Sequence, residues 1–223
     1  MFDDKKTIQM PINSISVEGI LSVPEKNNGS LIIFVHGSGS SRKSPRNMFI
    51  ASFLNNQGFS TLLFDLLTEK EDMIYENRFD IPLLAERIEY ATKWIKDQNE
   101  FKDFNIGYFG GSTGAAAAIV AAANLELDIK TIVSRGGRPD LAEHYLSKIN
   151  APTLLIVGGD DDAVIQLNKS SLSQIKSEKK LEIIPGATHL FEEPGALERA
   201  AEIASEWFRD YLVPKGDVEH KKP

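Results

Sequence analysis

The chain carries, at residues 105–123, the stretch NIGYFGGSTGAAAAIVAAA. Its first five residues are rich in strand formers, and its last nine are mostly alanine, the strongest helix former. Between them, Gly110 to Gly114 form a G-x-S-x-G pentapeptide with Ser112 at its centre. We expect a sharp strand-to-helix turn that exposes the Ser112 hydroxyl in a strained conformation. The glycines would stand where side chains would collide with neighbouring backbone.

The rest of the chain alternates short apolar runs with longer amphipathic segments. Continuous apolar runs such as 31–35 and 153–157 are typical of strands buried on both faces. Strands that alternate with helices predict an α/β fold with a mainly parallel sheet covered on both faces. The other predicted strands are 6–12, 15–23, 60–64, 105–109, 130–133 and 181–184; the predicted helices besides the alanine segment are 45–57, 81–98, 140–149, 164–175 and 195–212.

Length and local composition predict one domain over residues 1–213 and a disordered tail at 214–223. The first two strands are expected to pair antiparallel, with a turn near Ser14. The polar, acidic stretch 68–80 is too short for a cap domain. We interpret it as a surface loop, with a small flap over the site as the alternative.

Charge and cysteine content exclude several function classes. The chain has 223 residues and a formal net charge of −7, which disfavours nucleic acid and anionic membranes as partners. It has no cysteine, which excludes a thiol nucleophile, disulfides and thiolate metal sites. The charged N-terminus lacks the apolar run of a secretory signal, and no apolar run is long enough to span a membrane, so we expect a cytoplasmic protein.

A serine hydroxyl becomes a good nucleophile only when a base removes its proton, and the chain offers four histidines. His220 lies in the tail, and His144 lies among polar positions of a predicted helix. His36 ends a buried strand and begins a glycine-rich turn. His189 follows the last strand, where open α/β sheets place their active sites, so elimination and position favour His189 as the base of Ser112.

The base in turn needs a carboxylate that fixes its tautomer, and Asp160, Asp161 and Asp162 follow directly after the strand at 153–157. Three consecutive side chains point in different directions, so one or two of them at most can face the histidine. Asp160 would then cap the next segment, or Asp162 would simply be solvated. A calcium loop is disfavoured because its glycine and distal glutamate are missing. The residues alone leave the choice among the three aspartates open.

The turn at 36–40, His-Gly-Ser-Gly-Ser, has two interpretations. A dinucleotide-phosphate loop is disfavoured, because Arg42 stands where the third glycine would be and no Gly-Lys-Ser/Thr follows. An oxyanion loop fits better, since such a turn can aim backbone N–H groups at a developing negative oxygen. The N–H of Thr113 would be the second donor, and His36 would shape the loop.

Arg135 and Arg138 lie at the carboxyl end of another predicted strand. A guanidinium at the mouth of a pocket can bind a substrate carboxylate through two parallel hydrogen bonds. Surface arginines that pair with neighbouring acids are equally common. Both interpretations, substrate binding and structural pairing, remain open for the two residues.

With these residues in place, the chain resembles the α/β-hydrolase superfamily and, within it, the dienelactone hydrolase-like group, from about Ser14 to Leu212. The segments that carry the resemblance are FVHGSGSS at 34–41, LFDLL at 63–67, the pentapeptide, LLIVGG at 154–159 and GATHLF at 186–191. The resemblance implies an α/β-hydrolase fold: an eight-stranded, mostly parallel sheet with helices on both faces and no sizeable cap domain.

The resemblance also assigns roles to single residues. It implies Ser112 as nucleophile, His189 as base and Asp161, three residues before Val164, as acid. The oxyanion donors correspond to the backbone N–H groups of Thr113 and Ser38. Dienelactone hydrolases proper use a cysteine nucleophile, which this chain lacks, so the resemblance implies a serine esterase. No metal and no cofactor is implied.

Together these features predict a serine hydrolase that cleaves a small carboxylic ester or lactone through an acyl-enzyme. The expected partner is a small-molecule ester, without nucleic acid or membrane. One alternative keeps the three residues and transfers the acyl group to an alcohol or to peroxide. Another is a non-catalytic binding protein with a hydrolase fold, since fold does not fix function. Similar sequences also occur fused to phosphoribosyltransferase domains.

Overall fold

The computed structural model describes residues 4–13, 15–125 and 127–214. Within them, eight strands form one sheet in the spatial order β1-β2-β4-β3-β5-β6-β7-β8. The strands are β1 (Asp4–Ile12), β2 (Ile15–Val23), β3 (Ser30–Val35), β4 (Ser60–Phe64), β5 (Asn105–Gly111), β6 (Ile129–Arg135), β7 (Thr153–Gly158) and β8 (Lys179–Ile184). The α-helices are α1 (Pro45–Asn56), α2 (Glu69–Asp72), α3 (Ile81–Lys96), α4 (Thr113–Asn124), α5 (Glu143–Leu146), α6 (Asp162–Gln174) and α7 (Ala196–Tyr211).

The direction in which successive strands are added to the sheet reverses between β3 and β5. β2 pairs antiparallel with both β1 and β4, and the remaining neighbours pair parallel. After β3 the chain crosses through α1 to β4, whereas after β5 it crosses through α4 to β6 on the other side. Ligands bind at such a reversal, beyond the carboxyl ends of the strands. The predicted α/β fold with an eight-stranded, mostly parallel sheet is thus confirmed.

Two apolar layers hold the helices on the sheet. α1 and α7 cover one face through Phe34, Phe109 and Phe208, which are almost fully buried. α3 and α4 cover the other face. The alanine segment 115–118 is completely buried there, because its small side chains let α4 approach the sheet closely. The sheet and helices therefore fix the end of β5 from both sides.

Two segments differ from the sequence-based expectation. Residues 140–149 do not form one helix: a 3-10 turn at Pro139–Ala142 is followed by the single helical turn α5. Ala142, Leu146 and Ile149 are buried at helix-like spacing, which explains why the sequence pattern indicated a continuous helix. The turn starts at a proline, and the N–H of Leu141 bonds to the carbonyl of Arg138, three residues back, so the backbone is tighter than an α-helix.

The stretch 68–80 is more ordered than the expected surface loop. It contains α2 and a 3-10 helix at Tyr75–Phe79. Thr68 and Glu71 form a capping box, and Glu71 also accepts a hydrogen bond of 2.7 Å from the buried Arg87 of α3. The stretch is therefore bound to the domain surface. It presents four exposed apolar side chains: Met73, Ile74, Tyr75 and Phe79.

Two of the sequence-based expectations fall partly or wholly on residues outside the described ranges. They are the turn residue Ser14 and, apart from Pro214, the disordered tail at 214–223. Across the described parts of the chain, no helix is long and apolar enough to cross a membrane.

Candidate active site

Ser112 stands between β5 and α4 in a backbone conformation that is unusual for a residue with a side chain. Its φ is 50° and its ψ is −124°. Its N–H bonds to the carbonyl of Arg135 on β6, and its carbonyl accepts from the N–H of Arg138 at 3.0 Å. These bonds hold the turn in its strained form. Strain of this kind, held by the surrounding structure, is typical of functional sites.

The glycines of the pentapeptide allow the close approach that the turn needs. A Cβ atom on Gly114 would lie 2.4 Å from the carbonyl oxygen of Val35 and 2.5 Å from that of His36. A Cβ atom on Gly110 would lie 2.5 Å from the Cα of Ala115. Any larger residue at these two positions would force the elbow apart.

His189 and Asp161 are in direct contact. Nδ1 of His189 lies 2.7 Å from Oδ2 of Asp161, and the two side chains are 39% and 16% exposed. The contact arises because the loops after β7 and β8 pack closely: a Cβ on Gly158 would lie 2.3 Å from the carbonyl oxygen of Ala187. With Nδ1 bonded to the carboxylate, Nε2 is the ring nitrogen left to act as a proton acceptor.

The structure places the loop of His189 beside the elbow. A Cβ on Gly136 would lie 3.6 Å from Cε1 of His189, and Gly136 follows Arg135, whose carbonyl binds the N–H of Ser112. Within the described residues, no hydrogen bond joins the Ser112 hydroxyl to His189. In enzymes without bound substrate, the serine–histidine hydrogen bond is often long and tightens only when substrate binds.

The other candidate acids and bases have different environments. Asp160 and Asp162 are exposed; the backbone N–H of Asp160 bonds to the carbonyl of Ala187, and Asp162 is the first residue of α6. His144 is exposed on α5, and His220 lies outside the described residues. Of the three adjacent aspartates, the structure brings Asp161 into contact with His189.

His36 joins the glycine-rich turn to the chain after β4. Its Nδ1 donates to the carbonyl of Gly37 at 3.0 Å, and its Nε2 accepts from the N–H of Leu66 at 3.1 Å. Burial lowers the pKa of His36 and outweighs the opposite effects of its bond to Gly37 and of nearby Asp65. A neutral ring with both nitrogens engaged shapes the turn and has no nitrogen free to accept a proton.

The glycine-rich turn touches the elbow directly. A Cβ on Gly37 would lie 3.0 Å from the Cβ of Ser112. The N–H of Ser38, one of the two oxyanion donors that the resemblance implies, donates to the Thr113 hydroxyl at 2.9 Å. The N–H of Thr113, at the first position of α4, has no acceptor among the described residues. Thr113 thus offers a free donor, whereas Ser38 must release or share its bond to serve as one.

The two arginines named from the sequence behave differently. Arg138 makes two hydrogen bonds of 2.9 and 2.8 Å to the carboxylate of Asp140, and these bonds raise its pKa. Arg135 is buried and has no acidic partner in the part of the chain that the structure describes. Its guanidinium lies over the ring of Phe191, 5.4 Å from the ring centroid.

Some features of the site are not evident from the sequence. Phe191 has a φ of 58°, and Glu193 accepts hydrogen bonds from the backbone and the hydroxyl of Thr188. The hydrogen bonds of Glu193 hold the loop that carries His189. The segment GATHLFEE marks the loop in the sequence, but nothing in it shows which side chains brace it. No cluster of three or more histidine, aspartate or glutamate residues in the described ranges is arranged to hold a metal ion.

Comparison with known proteins identifies the family of this chain. The family model described as "Dienelactone hydrolase family" matches residues 17–212. A dienelactone hydrolase from Anabaena variabilis is 47% identical, with a TM-score of 0.90 over 94% of this chain and 99% of that one. Est1E from Butyrivibrio proteoclasticus is 20% identical, with a TM-score of 0.77 over 92% and 98% of the two chains, which shows a shared fold.

A longer relative comes from Mycobacterium tuberculosis and bears the name "Putative phosphoribosyl transferase". It is 50% identical over 209 residues, which are 94% of this chain and 47% of that protein. This chain therefore spans about half the length of that curated relative. From the match of the family model over most of its residues, the chain belongs to the dienelactone hydrolase family.

Proposed function

We propose that this hydrolase-fold protein cleaves a small carboxylic ester or lactone through an acyl-enzyme formed on Ser112. The observation that carries the proposal is the 2.7 Å contact between His189 and Asp161, on the two loops that pack beside the strained serine. A nucleophile on a strand-to-helix elbow, a histidine beside it and a carboxylate behind the histidine are the parts that acyl transfer requires.

In the first half of the proposed reaction, Oγ of Ser112 attacks the ester carbonyl and His189 Nε2 takes the hydroxyl proton. The N–H of Thr113 stabilises the negative oxygen of the tetrahedral intermediate. The N–H of Ser38 does the same after its hydrogen bond to the Thr113 hydroxyl has broken. The bond to the alcohol then breaks, and His189 gives its proton to the alcohol oxygen. Asp161 holds the ring and stabilises its positive form throughout.

In the second half, water attacks the acyl carbon and His189 accepts its proton. The bond to Ser112 breaks, the serine oxygen recovers the proton, and the carboxylic acid is released. Both halves use the same histidine nitrogen, because Nδ1 stays bonded to Asp161. A lactone follows the same steps, except that the freed hydroxyl stays on the acyl chain, so that the single product is a hydroxy acid.

Membership of the family supports hydrolysis as the reaction, and the identity of the nucleophile supports a serine hydrolase. Ser112 occupies the centre of the pentapeptide, and the chain has no cysteine to take its place. The match covers about half of the longer relative, so the name of that whole protein does not assign a reaction to the matched half. We infer that the protein is a serine carboxylester hydrolase and that it acts in the cytoplasm.

A fluorophosphonate probe and a short p-nitrophenyl ester test the proposal together. The probe is expected to label the native protein on Ser112. Ser112→Ala should lose labelling and at least about a thousandfold in kcat. Ser173→Ala, which removes an exposed hydroxyl from α6, is the matched control and should keep both. Ester turnover within tenfold of the native rate in Ser112→Ala would contradict the assignment.

A further inference from the structure

The side chain of Thr113, the residue after the nucleophile, engages one of the two N–H groups that would hold the oxyanion. The N–H of Ser38 donates to Oγ1 of Thr113 at 2.9 Å. Thr113 is 4% exposed, so this hydrogen bond is largely shielded from water. An N–H group has one hydrogen, and full donation to the hydroxyl withholds that hydrogen from a substrate oxygen. The hydroxyl therefore lies where the N–H of Ser38 would otherwise meet its substrate.

The glycine-rich turn that carries Ser38 is anchored at both of its ends. On one side, Nε2 of His36 accepts a hydrogen bond of 3.1 Å from the N–H of Leu66. On the other side, the N–H of Arg42 donates to the carboxylate of Asp65 at 2.8 Å, and the guanidinium of Arg42 pairs with the same carboxylate. Both anchors lie directly after β4. The turn is thus held in place, and the fold sets the direction of the Ser38 N–H.

The hydroxyl of Thr113 is held less firmly than the turn that it contacts. Within the described ranges, the bond from Ser38 is the one hydrogen bond of this hydroxyl. Thr113 is the first residue of α4, and threonine in a helix adopts two χ1 rotamers. A single rotation about χ1 therefore breaks one hydrogen bond and leaves the N–H of Ser38 pointing at the vacated position. The side chain can move while both backbone donors stay where they are.

We propose that Oγ1 of Thr113 occupies the acceptor position of the oxyanion hole in the free protein, and that the carbonyl oxygen of the substrate displaces it by rotation about χ1. This inference rests on the function proposed for Ser112. The side chain of Thr113 is a positioning residue, which closes the hole until a carbonyl oxygen arrives. The bond to Ser38 is present in the free protein and absent in the transition state, so it lowers kcat/KM.

Removal of the hydroxyl tests the proposal by the sign of its effect. Thr113→Ala keeps both backbone donors and should raise kcat/KM for 4-nitrophenyl butyrate by about 2- to 10-fold, the range that one neutral hydrogen bond contributes. Thr113→Ser restores a hydroxyl and should return kcat/KM towards the native value. Thr7→Ala, which removes an exposed threonine of β1, is the control and should stay within about twofold. A lower or unchanged kcat/KM in Thr113→Ala would overturn the proposal.

A transition-state analogue separates this role from a structural one. n-Butylboronic acid adds to Oγ of Ser112 and forms a tetrahedral anion, whose oxygen takes the place of the oxyanion. Its inhibition constant should fall in Thr113→Ala by the same factor by which kcat/KM rises. A hydroxyl that only braces the turn would, when removed, loosen the site and weaken inhibition. Weaker or unchanged inhibition in the alanine variant would therefore contradict the proposal.

Crystal structures of the native protein, free and with n-butylboronic acid, give a test that needs no variant. We expect the bond from Ser38 to Thr113 in the free protein and, in the adduct, a rotated Thr113 side chain outside hydrogen-bond distance of Ser38. An adduct that retains the bond would overturn this inference and leave Ser112 as the nucleophile. A native protein that neither binds the boronate nor reacts with the fluorophosphonate would refute the function proposed for Ser112 and this inference together.

Discussion

Lowering the pH from 6.5 to 5 is expected to destabilise the protein through His36. In the folded chain this ring is tied to Gly37 and Leu66 through both nitrogens, and burial lowers its pKa below the ordinary value of 6.5. Well above pH 6.5 the ring is neutral in both the folded and the unfolded chain, and pH has no effect through it. Below pH 6.5 the unfolded chain takes up a proton that the folded His36 resists, so the free energy of unfolding falls.

The size of the effect follows from linkage. If the folded ring takes up no proton, the slope approaches about 1.4 kcal/mol per pH unit, and the loss at pH 5 is at most about 2 kcal/mol. This loss is a large fraction of the roughly 5–15 kcal/mol that stabilises a domain. His36→Gln removes the titrating ring and at least one of its two bonds, which costs about 1 kcal/mol at every pH.

Urea unfolding curves at several pH values between 5 and 7.5 measure the effect for the native chain and for His36→Gln. Other titrating groups contribute equally to both, so the difference between the two curves isolates His36. We expect the native chain to lose stability with falling pH more steeply than the variant. Parallel curves would show that the folded ring accepts a proton freely and would refute its role as a neutral clamp.

Two further predictions concern the elbow and the acid. Asp161→Asn should lower kcat on a p-nitrophenyl ester by about 10³- to 10⁴-fold, because the amide holds the wrong tautomer of His189. Asp160→Asn is the control and should stay within about threefold of the native rate. A loss below tenfold for Asp161→Asn would contradict its role. Gly114→Ala should lower the free energy of unfolding by on the order of 3 kcal/mol, because its Cβ would meet backbone oxygens at 2.4 and 2.5 Å. Gly186→Ala is the control. Its backbone is strained at a φ of 72°, but the space around it is open, so this substitution should cost about 1 kcal/mol. Equal losses in urea unfolding curves would show that the close approach at Gly114 is not what the elbow requires.

The local features of the fold could be predicted because they depend on short-range sequence patterns. The apolar run at 153–157 is typical of a strand buried on both faces, and the alanine segment after Ser112 strongly favours a helix. The strand order then places the glycine-rich turn and Ser112 at adjacent strand ends. The eight-stranded sheet was predictable for this reason, whereas the break between the 3-10 turn and α5 was not.

Contacts between distant segments could not be predicted in the same way. Asp160, Asp161 and Asp162 are chemically equal in the sequence, and the close packing of Gly158 on the next loop decides which of them meets His189. Arg135 and Arg138 also look alike, but Asp140 lies within reach of Arg138 only. The bond from Ser38 to the Thr113 hydroxyl joins residues 75 positions apart. Such pairings depend on tertiary geometry that no local pattern specifies.

The stretch 68–80 has a consequence for how this domain can be changed. Its first residue is held by a capping box and its last, Asp80, caps α3 with its own side chain. The apolar residues between these two anchors are exposed and belong to neither layer of the core. The exposed apolar side chains of 73–79 can therefore be replaced at little cost to the core, provided that Glu71 stays to pair with the buried Arg87.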